Sequence, residues 1–526
     1  MMPYLPREIV QQILDHLEFE DVKFFNYYIP PEDSLKRLLE EKLYKKVLIG
    51  SPIYFLPMHN VKEPDQFESI ILKGIPIKEL YIDGPMSIIE ESIMRHPQYF
   101  ASVSSIRFLN PLDVLEIASI LLMRTLVSIS ISSVNYLPRY TRFGSLNLVF
   151  VSFAYYKGGV VNSWPSTLKS LQLVECDLSM FVLPDTLQEF ECISSYGGEN
   201  WQAFPSSLKK MRILLNYSFE IPNYPEGLLS LSVKKRKLED AGKLPMQWPS
   251  TLETLELANI EFSGFSDVNF PCQLKALVIE DLDLFESLRF TDRLTKLHLH
   301  GRKIRYKDLK SLPTSLESLL INCDTVKGSP FPPGLTTLIL QTSKFLNDTR
   351  FPPNLETFDL YFTSTQKESL CFTFPSCLRI FSINCGARQL FELNLPRLEV
   401  FTMINCCGAV PPSVIDLTLD CDMDWIPFKN FHVPYGVRKL LVFRPLKEYP
   451  DSILDLTIKG FRLKDAPPFP QNLRYLRLPQ DRVLISELQL PISVQLVEGR
   501  SVWEDVELPR FETQTVKRKK HRCILC

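Results

Sequence analysis

The last four residues, Cys523-Ile524-Leu525-Cys526, carry the sharpest chemical signal in the chain. A cysteine followed by two aliphatic residues and one more is the pattern on which an isoprenoid is joined to the thiol as a thioether. One such lipid alone gives reversible membrane binding, so stable attachment calls for a second signal. The run Lys517-Arg518-Lys519-Lys520-His521-Arg522 supplies it directly upstream. Lys517, Arg518, Lys519, Lys520 and Arg522 add attraction to an anionic leaflet, roughly 1 kcal/mol per charge near the surface. Together the two signals predict lipidation at Cys523 and a peripheral position on the cytoplasmic face of a membrane. Two other readings use the same residues. The basic run could serve as a nuclear localisation signal, and Cys523-x-x-Cys526 could be a redox or metal pair, which needs structured surroundings. Cysteine at the last position leaves farnesyl against geranylgeranyl open.

Other candidate chemistry is sparse. His298 and His300 point the same way from one strand and could offer two metal ligands, but a zinc site needs a third and a fourth. No nearby Cys/His spacing provides them. Cys406-Cys407 and Cys421 lack C-x-x-C spacing and are expected as core or near-core thiols. Glu90-Glu91 belongs to the solvated face of a helix. The sequence holds no glycine-rich phosphate loop, nucleophile elbow or kinase-type set. The expectation is a protein that is not an enzyme and takes neither cofactor nor metal.

Composition agrees with an ordinary soluble chain: 526 residues, 45% hydrophobic, 23% charged, with a formal net charge of -2. That balance gives no global pull toward nucleic acid. Twelve cysteines without even spacing read as reduced intracellular thiols. No signal peptide opens the chain, and apolar runs such as 146–155 are far shorter than the roughly 20 residues of a spanning helix. Prolines, 40 against 19 glycines, are in excess.

A repeat accounts for many of those prolines and must position everything else. Trp248-Pro249-Ser250-Thr251-Leu252-Glu253-Thr254-Leu255-Glu256-Leu257 has a near twin in Trp164-Pro165-Ser166-Thr167-Leu168-Lys169-Ser170-Leu171-Gln172-Leu173. With the first leucine as position i, positions i+3 and i+5 are also apolar. Copies start at Leu168, Leu187, Leu208, Leu228, Leu252, Leu274, Leu294, Leu316, Leu335, Leu355, Leu378, Leu398, Val414, Val437, Ile453 and Leu473, about every 20 residues. Less regular copies precede them at Ile77, Val103, Leu126 and Phe143, and a frayed one follows at Val494. Residues 86–95 and 113–124 read as helices between early copies. Apolar residues alternating with polar ones over i+3 to i+5 predict a short strand with one buried face. Proline three residues before i, from Pro165 to Pro470, fixes the turn without removing a ladder donor. Repeats this short leave no room for a full return helix, so returning segments are expected to be extended or single-turn.

This pattern resembles the leucine-rich-repeat family, in a short proline-led form, over roughly four fifths of the chain. The resemblance implies an α/β solenoid in which stacked copies share one interior. The family's Asn or Cys at i+8 occurs at Cys176, Asn216 and Cys406 but is missing from most copies, so buried loop amides need other partners. Positions i+2, i+4 and i+6 are expected to line the concave face. Early ones are charged: Glu189, Glu191, Lys210, Arg212, Lys296, His298 and His300. Later ones turn apolar or neutral: Thr337, Ile339, Val400, Thr402, Ile404, Leu441 and Phe443. An exposed apolar strip there is a candidate protein-binding surface, unless loops or the C-terminal segment cover it.

At the other end, Leu5, Pro6, Ile9, Ile13, Leu14 and Leu17 form a helical stripe with proline in the first turn. A second short helix through Val22, Phe24 and Phe25 is stopped by Pro30-Pro31. Ser34 is read as the cap of a third, carrying Leu35, Leu38, Leu39 and Leu43. The segment from Leu5 to Asp21 resembles the first half of an F-box, whose face binds the adaptor subunit of a cullin-RING ubiquitin ligase. The family's later Cys-Arg-x-Trp-like block is replaced here by Ile29-Pro30-Pro31-Glu32-Asp33. The alternative is a helical cap shielding the first repeat.

The expected organisation is an F-box-like helical segment at 1–50, a linker at 51–76, a solenoid at 77–498 and a polar tail with the basic run and lipidation box at 499–526. Taken together, the three segments resemble fungal-type F-box/leucine-rich-repeat proteins. That resemblance implies a membrane-anchored substrate receptor of a ubiquitin ligase that binds a target protein, and no nucleic acid, through its repeats. The rival expectation is a prenylated leucine-rich-repeat scaffold with no ligase link.

Overall fold

A computed structural model describes residues 33–50, 59–61, 72–83, 93–109, 125–132, 146–156, 158–197, 203–215, 223–235, 247–259, 268–282, 288–301, 311–345, 349–362, 374–385, 395–406, 408–420, 432–460, 468–478 and 489–494, together with 496–498 and scattered single or paired positions. The predicted helices at 86–95 and 113–124 lie largely or wholly outside them. The chain falls into two compact units, Met1–Glu261 and Phe262–Cys526.

Both units are built from one kind of turn. From Ile77 onward, each strand of the main parallel ladder begins two residues after its position i: Glu79–Asp83 after Ile77, Ser170–Val174 after Leu168, Thr337–Phe345 after Leu335, Tyr475–Arg477 after Leu473. Successive strands pair in parallel with i+2 opposite i+2. In the first unit the ladder runs from Lys46–Gly50 to Thr254–Ala258; in the second it runs from Ala276–Leu282 to Leu496–Glu498. Side chains at i, i+3 and i+5 enter the interior: Leu252, Leu255 and Leu257 are fully buried, and so are Leu335, Leu338 and Leu340. Each such leucine contributes roughly 1.5–3 kcal/mol of apolar burial, and a copy gains it only by stacking on its neighbours.

The residues before i explain the rest of the motif. The N–H of Leu168 donates to the carbonyl of Pro165 at 3.1 Å, closing a turn, and the same bond recurs from Leu187 to Pro184 and from Leu473 to Pro470. Proline needs no donor there. The aromatic residue ahead of it stacks on its counterpart in the next copy. Phe331 and Phe351 lie 6.4 Å apart at 9°, Phe351 and Phe374 5.4 Å apart at 7°, and Tyr224 and Trp248 5.7 Å apart at 12°. Among the described residues, short 3₁₀ turns lie between strands at Pro97–Ser102 and Leu178–Met180.

A ladder of hydroxyls satisfies backbone carbonyls just before the strands. The residue just before i donates its side chain to the carbonyl of position i one copy earlier. Ser102 bonds Ile77 at 2.9 Å, Thr125 bonds Val103 at 2.9 Å, Thr167 bonds Leu148 at 2.8 Å and Thr186 bonds Leu168 at 2.8 Å. Thr251 to Leu228 at 2.8 Å and Ser315 to Leu294 at 2.7 Å continue it, and Cys377 does the same with its thiol toward Leu355. At i+8 itself, Cys176 and Cys406 are buried and direct their thiols to the carbonyls of Phe153 and Ile383. Ser195 fills the equivalent place toward Leu173. Asn216 is outside the described residues.

Three expectations change. The fourth early copy starts at Leu148, not Phe143: the strand is Phe150–Ala154, and Leu148, Val151 and Phe153 are fully buried. Both frames satisfy the apolar spacing, and Thr167 bonding Leu148 marks the right one. The sheet also begins before residue 77. Lys46–Gly50 pairs with Glu79–Asp83 on one side and with His59–Val61 on the other. Tyr44, Val47 and Ile49 form a further copy, unread because tyrosine stands at i. Finally, the helix Ser34–Leu43 is capped by Asp33, whose carboxylate accepts the N–H of Leu35 at 2.9 Å, and not by Ser34.

The open face of the sheet

Side chains at i+2, i+4 and i+6 leave the sheet on the side opposite the interior, and the register brings like positions of neighbouring copies side by side. Near the start of the first unit this side is covered: Leu48 and Tyr81 are buried against each other with Leu109 packed on them, and the Arg107 guanidinium lies 5.3 Å from the Tyr81 ring centre.

Farther along the first unit the i+4 row is polar and internally bonded, while Phe150 at i+2 and Ala154, Val174, Ile193 and Leu214, side by side at i+6, are half-buried. Ser152 donates to Gln172 at 2.8 Å, and Gln172 donates to Glu191 at 2.7 Å. Glu191 pairs with Arg212 at 2.9 Å, and Glu189 pairs with Lys210 at 2.8 Å. Glu256 accepts from Ser232 and Lys234, both at 2.7 Å. Burial pulls the Glu256 carboxyl upward, but its bonds to Lys234 and Ser232 and the nearby Arg212 charge outweigh it and hold the carboxyl below its usual range.

The second unit differs. Its i+4 row reads Val278, His298, Leu320, Ile339, Asp359, Ser382, Thr402, Thr418 and Leu441, placed side by side by the ladder. The flanking rows hold Ile380, 41% exposed, and Tyr361, 42% exposed, with Val400 and Ile404 half-buried. His298 is half-buried with its ring 3.4 Å from the Ser318 hydroxyl; burial first, then the charges of Lys296 and His300, bring its pKa down to about 4. Burial raises the Asp359 carboxyl. Beyond Thr418 the face returns to ion pairs: Asp416 with Lys439, Asp420 with Lys459, Asp455 with Arg477.

Other sequence-predicted residues fall as follows. Leu14 is buried, and the Lys42 ammonium donates to its carbonyl. Leu5, Pro6, Ile9, Ile13 and Leu17 lie outside the described residues, as do Cys407, Cys421, Lys519, Lys520 and Arg522. The backbone of Cys523–Ile524 pairs antiparallel with Leu496 and Val497, and that of Lys517–Arg518 with Val506 and Glu507. Burial pushes the Cys176 thiol up to about 11 and that of Cys192 up to about 12. Among the described residues, no three His, Cys, Asp or Glu side chains converge as metal ligands. No described helix is long and apolar enough to cross a membrane.

Stacked parallel strands with leucine-filled turns of about 20 residues define a leucine-rich-repeat solenoid. Neither a protein-family model nor a curated protein sequence matches the chain. Solved structures do. TLR13, determined as a complex with ssRNA13, is 16% identical over 88% of this chain and 77% of its own, with a TM-score of 0.51. CroV588, described as a novel circular LRR protein, is 16% identical over 85% of this chain and 76% of its own at a TM-score of 0.48. YopM from Yersinia enterocolitica WA-314 is 19% identical over 86% and 89% at 0.39. At these identities the likeness is one of fold.

Proposed function

We propose that this chain is a protein-binding scaffold that holds a partner on the open face of its second unit. The observation that carries the reading is the i+4 row from Val278 to Thr402, where half-buried aliphatic and neutral side chains surround Asp359, against a first-unit i+4 row that is polar and bonded within itself from Ser152 to Glu256. Apolar side chains left on an otherwise satisfied surface favour a partner that covers them. The test is affinity capture with the full chain, read by quantitative mass spectrometry and followed by binding of the purified partner. Ile339→Arg is expected to weaken that partner about thirtyfold or more, the loss of a central contact, while Ser170→Arg on the first unit leaves it unchanged. Equal binding by wild type and Ile339→Arg overturns the reading.

In the fuller form of this proposal the face defined by Leu5, Pro6, Ile9, Ile13, Leu14 and Leu17 recruits a cullin-RING adaptor, and the chain is a ligase substrate receptor. Prenyl-Cys523, with Lys517, Arg518, Lys519, Lys520 and Arg522, tethers it to an anionic cytoplasmic leaflet. Recovery of the adaptor by wild type and not by Leu5→Ala/Ile9→Ala/Leu17→Ala supports the ligase role; none with either removes it. Cys523→Ser is expected to move the protein from membrane to soluble fractions, and an unchanged distribution removes the tether. A second reading, the same scaffold with no ligase link, is favoured by the burial of Leu14 and the Lys42 bond to its carbonyl, both made within the chain.

A further inference from the structure

Carboxylates on the open face keep cations close. Glu79, Glu189, Glu191, Glu256, Asp416, Asp420 and Asp455 each hold a lysine or arginine of another copy within 3.2 Å. Asp359 departs from that rule. It stands at i+4 after Leu355, half-buried, and among the described residues no cation or hydrogen-bond donor reaches its carboxylate. Its ladder neighbours are Ile339 and Ser382; Thr357 and Tyr361 flank it on its own strand, and Ile380 lies diagonally across. None of them is cationic. Burial accordingly makes its carboxyl a weaker acid than usual.

A charge half withdrawn from water with no counter-charge costs stability. A face that pairs these seven carboxylates and, among the described residues, brings no cation to Asp359 has the geometry of half an ion pair. The missing half is a cation, and its setting is apolar on the Ile339 and Ile380 sides. A polyanion is the wrong occupant, because its phosphates meet a carboxylate. A protein segment is the right one, since the surrounding row is continuous from strand to strand and wider than one small amine.

We propose that Asp359 anchors a peptide subsite whose occupant is a lysine or arginine side chain of a partner protein, flanked by apolar side chains that rest on Ile339 and Ile380. This rests on the reading of the second unit's face as the docking surface. Asp359 therefore sets specificity, and Ile339 supplies contact area.

The experiment pans phage-displayed random peptides on the full-length chain and measures the selected peptides on variants by fluorescence anisotropy. Asp359→Asn keeps the shape of the side chain, and circular dichroism checks that each variant is folded. Wild type is expected to enrich an arginine or lysine between apolar residues. Asp359→Asn is expected to weaken those peptides at least about tenfold, the loss of a partly desolvated charge pair. Asp359→Lys is expected to select peptides bearing Asp or Glu instead. Peptides that lose binding with Ile339→Arg yet bind Asp359→Asn as tightly as wild type overturn the anchor and leave the docking face standing. Failure to select any peptide sensitive to Ile339→Arg overturns both. A labelled single-stranded RNA that binds the full chain and is lost with Ile339→Arg overturns the choice of a protein partner.

Discussion

The two units are built on the same kind of interior and differ on the surface they present. In the first, the i+4 row from Ser152 to Glu256 is a chain of polar contacts in which Gln172, Glu191, Arg212 and Ser232 all have neighbours. In the second, the corresponding row from Val278 to Thr402 interleaves aliphatic residues with a neutral histidine and a half-buried carboxylate that meets no cation among the described residues. The interior has no such freedom, because every copy must offer i, i+3 and i+5 to its neighbours or lose its only apolar burial. The comparison teaches that stacking fixes one side of each strand and leaves the other to be spent on self-satisfaction or on a partner.

The largest test concerns what the units share. Leu255→Ala in the first and Leu338→Ala in the second remove fully buried side chains at the same i+3 position. Each is expected to lower stability by about 2–5 kcal/mol in chemical denaturation. A loss well under 1 kcal/mol in either unit would show that its interior is not built like the other's.

The hydroxyl ladder is the next shared feature. Thr251→Val removes the donor to the Leu228 carbonyl, and Ser315→Ala removes the donor to Leu294. Each leaves an acceptor short of a partner and is expected to cost about 1 kcal/mol. An effect of similar size belongs to the second unit's face. His298, with a folded pKa of about 4 against an ordinary 6.5, is neutral in the native state while the unfolded chain takes up a proton below pH 6.5. Stability therefore falls as pH drops from 6.5 toward 4, by something on the order of 1 kcal/mol once solvent screening of a half-exposed ring is allowed for. His298→Gln is expected to remove that part of the pH dependence, measured as the difference between the two melting curves.

Much of this was legible beforehand, for a physical reason. Strand starts follow i by two residues because apolar spacing and the turn at Pro-x-x-Leu set register locally, so Leu168 through Leu473 locate their strands unaided. The pattern failed where two frames were equally apolar, at Phe143 and Leu148, and where tyrosine replaced leucine, at Tyr44. The hydroxyls at Thr167, Thr186 and Ser207 stand just before i, but local sequence does not name their acceptors, which lie a full copy away. Asp359 needed its neighbours. Aligning copies at i puts it beside Ile339 and Ser382 with no lysine or arginine across, and that absence was the available signal.

The most direct measurement compares one chemical change on the two faces: Glu191→Gln and Asp359→Asn, each by equilibrium denaturation at neutral pH. Glu191 accepts from Arg212 and Gln172, so its neutralisation is expected to destabilise the protein by about 0.5–1 kcal/mol. Neutralising Asp359 removes an uncompensated half-buried charge and is expected to stabilise the free protein by a similar amount. If Asp359→Asn instead destabilises as Glu191→Gln does, the carboxylate is already satisfied within the chain, and the second unit's face is not held open for a partner's cation.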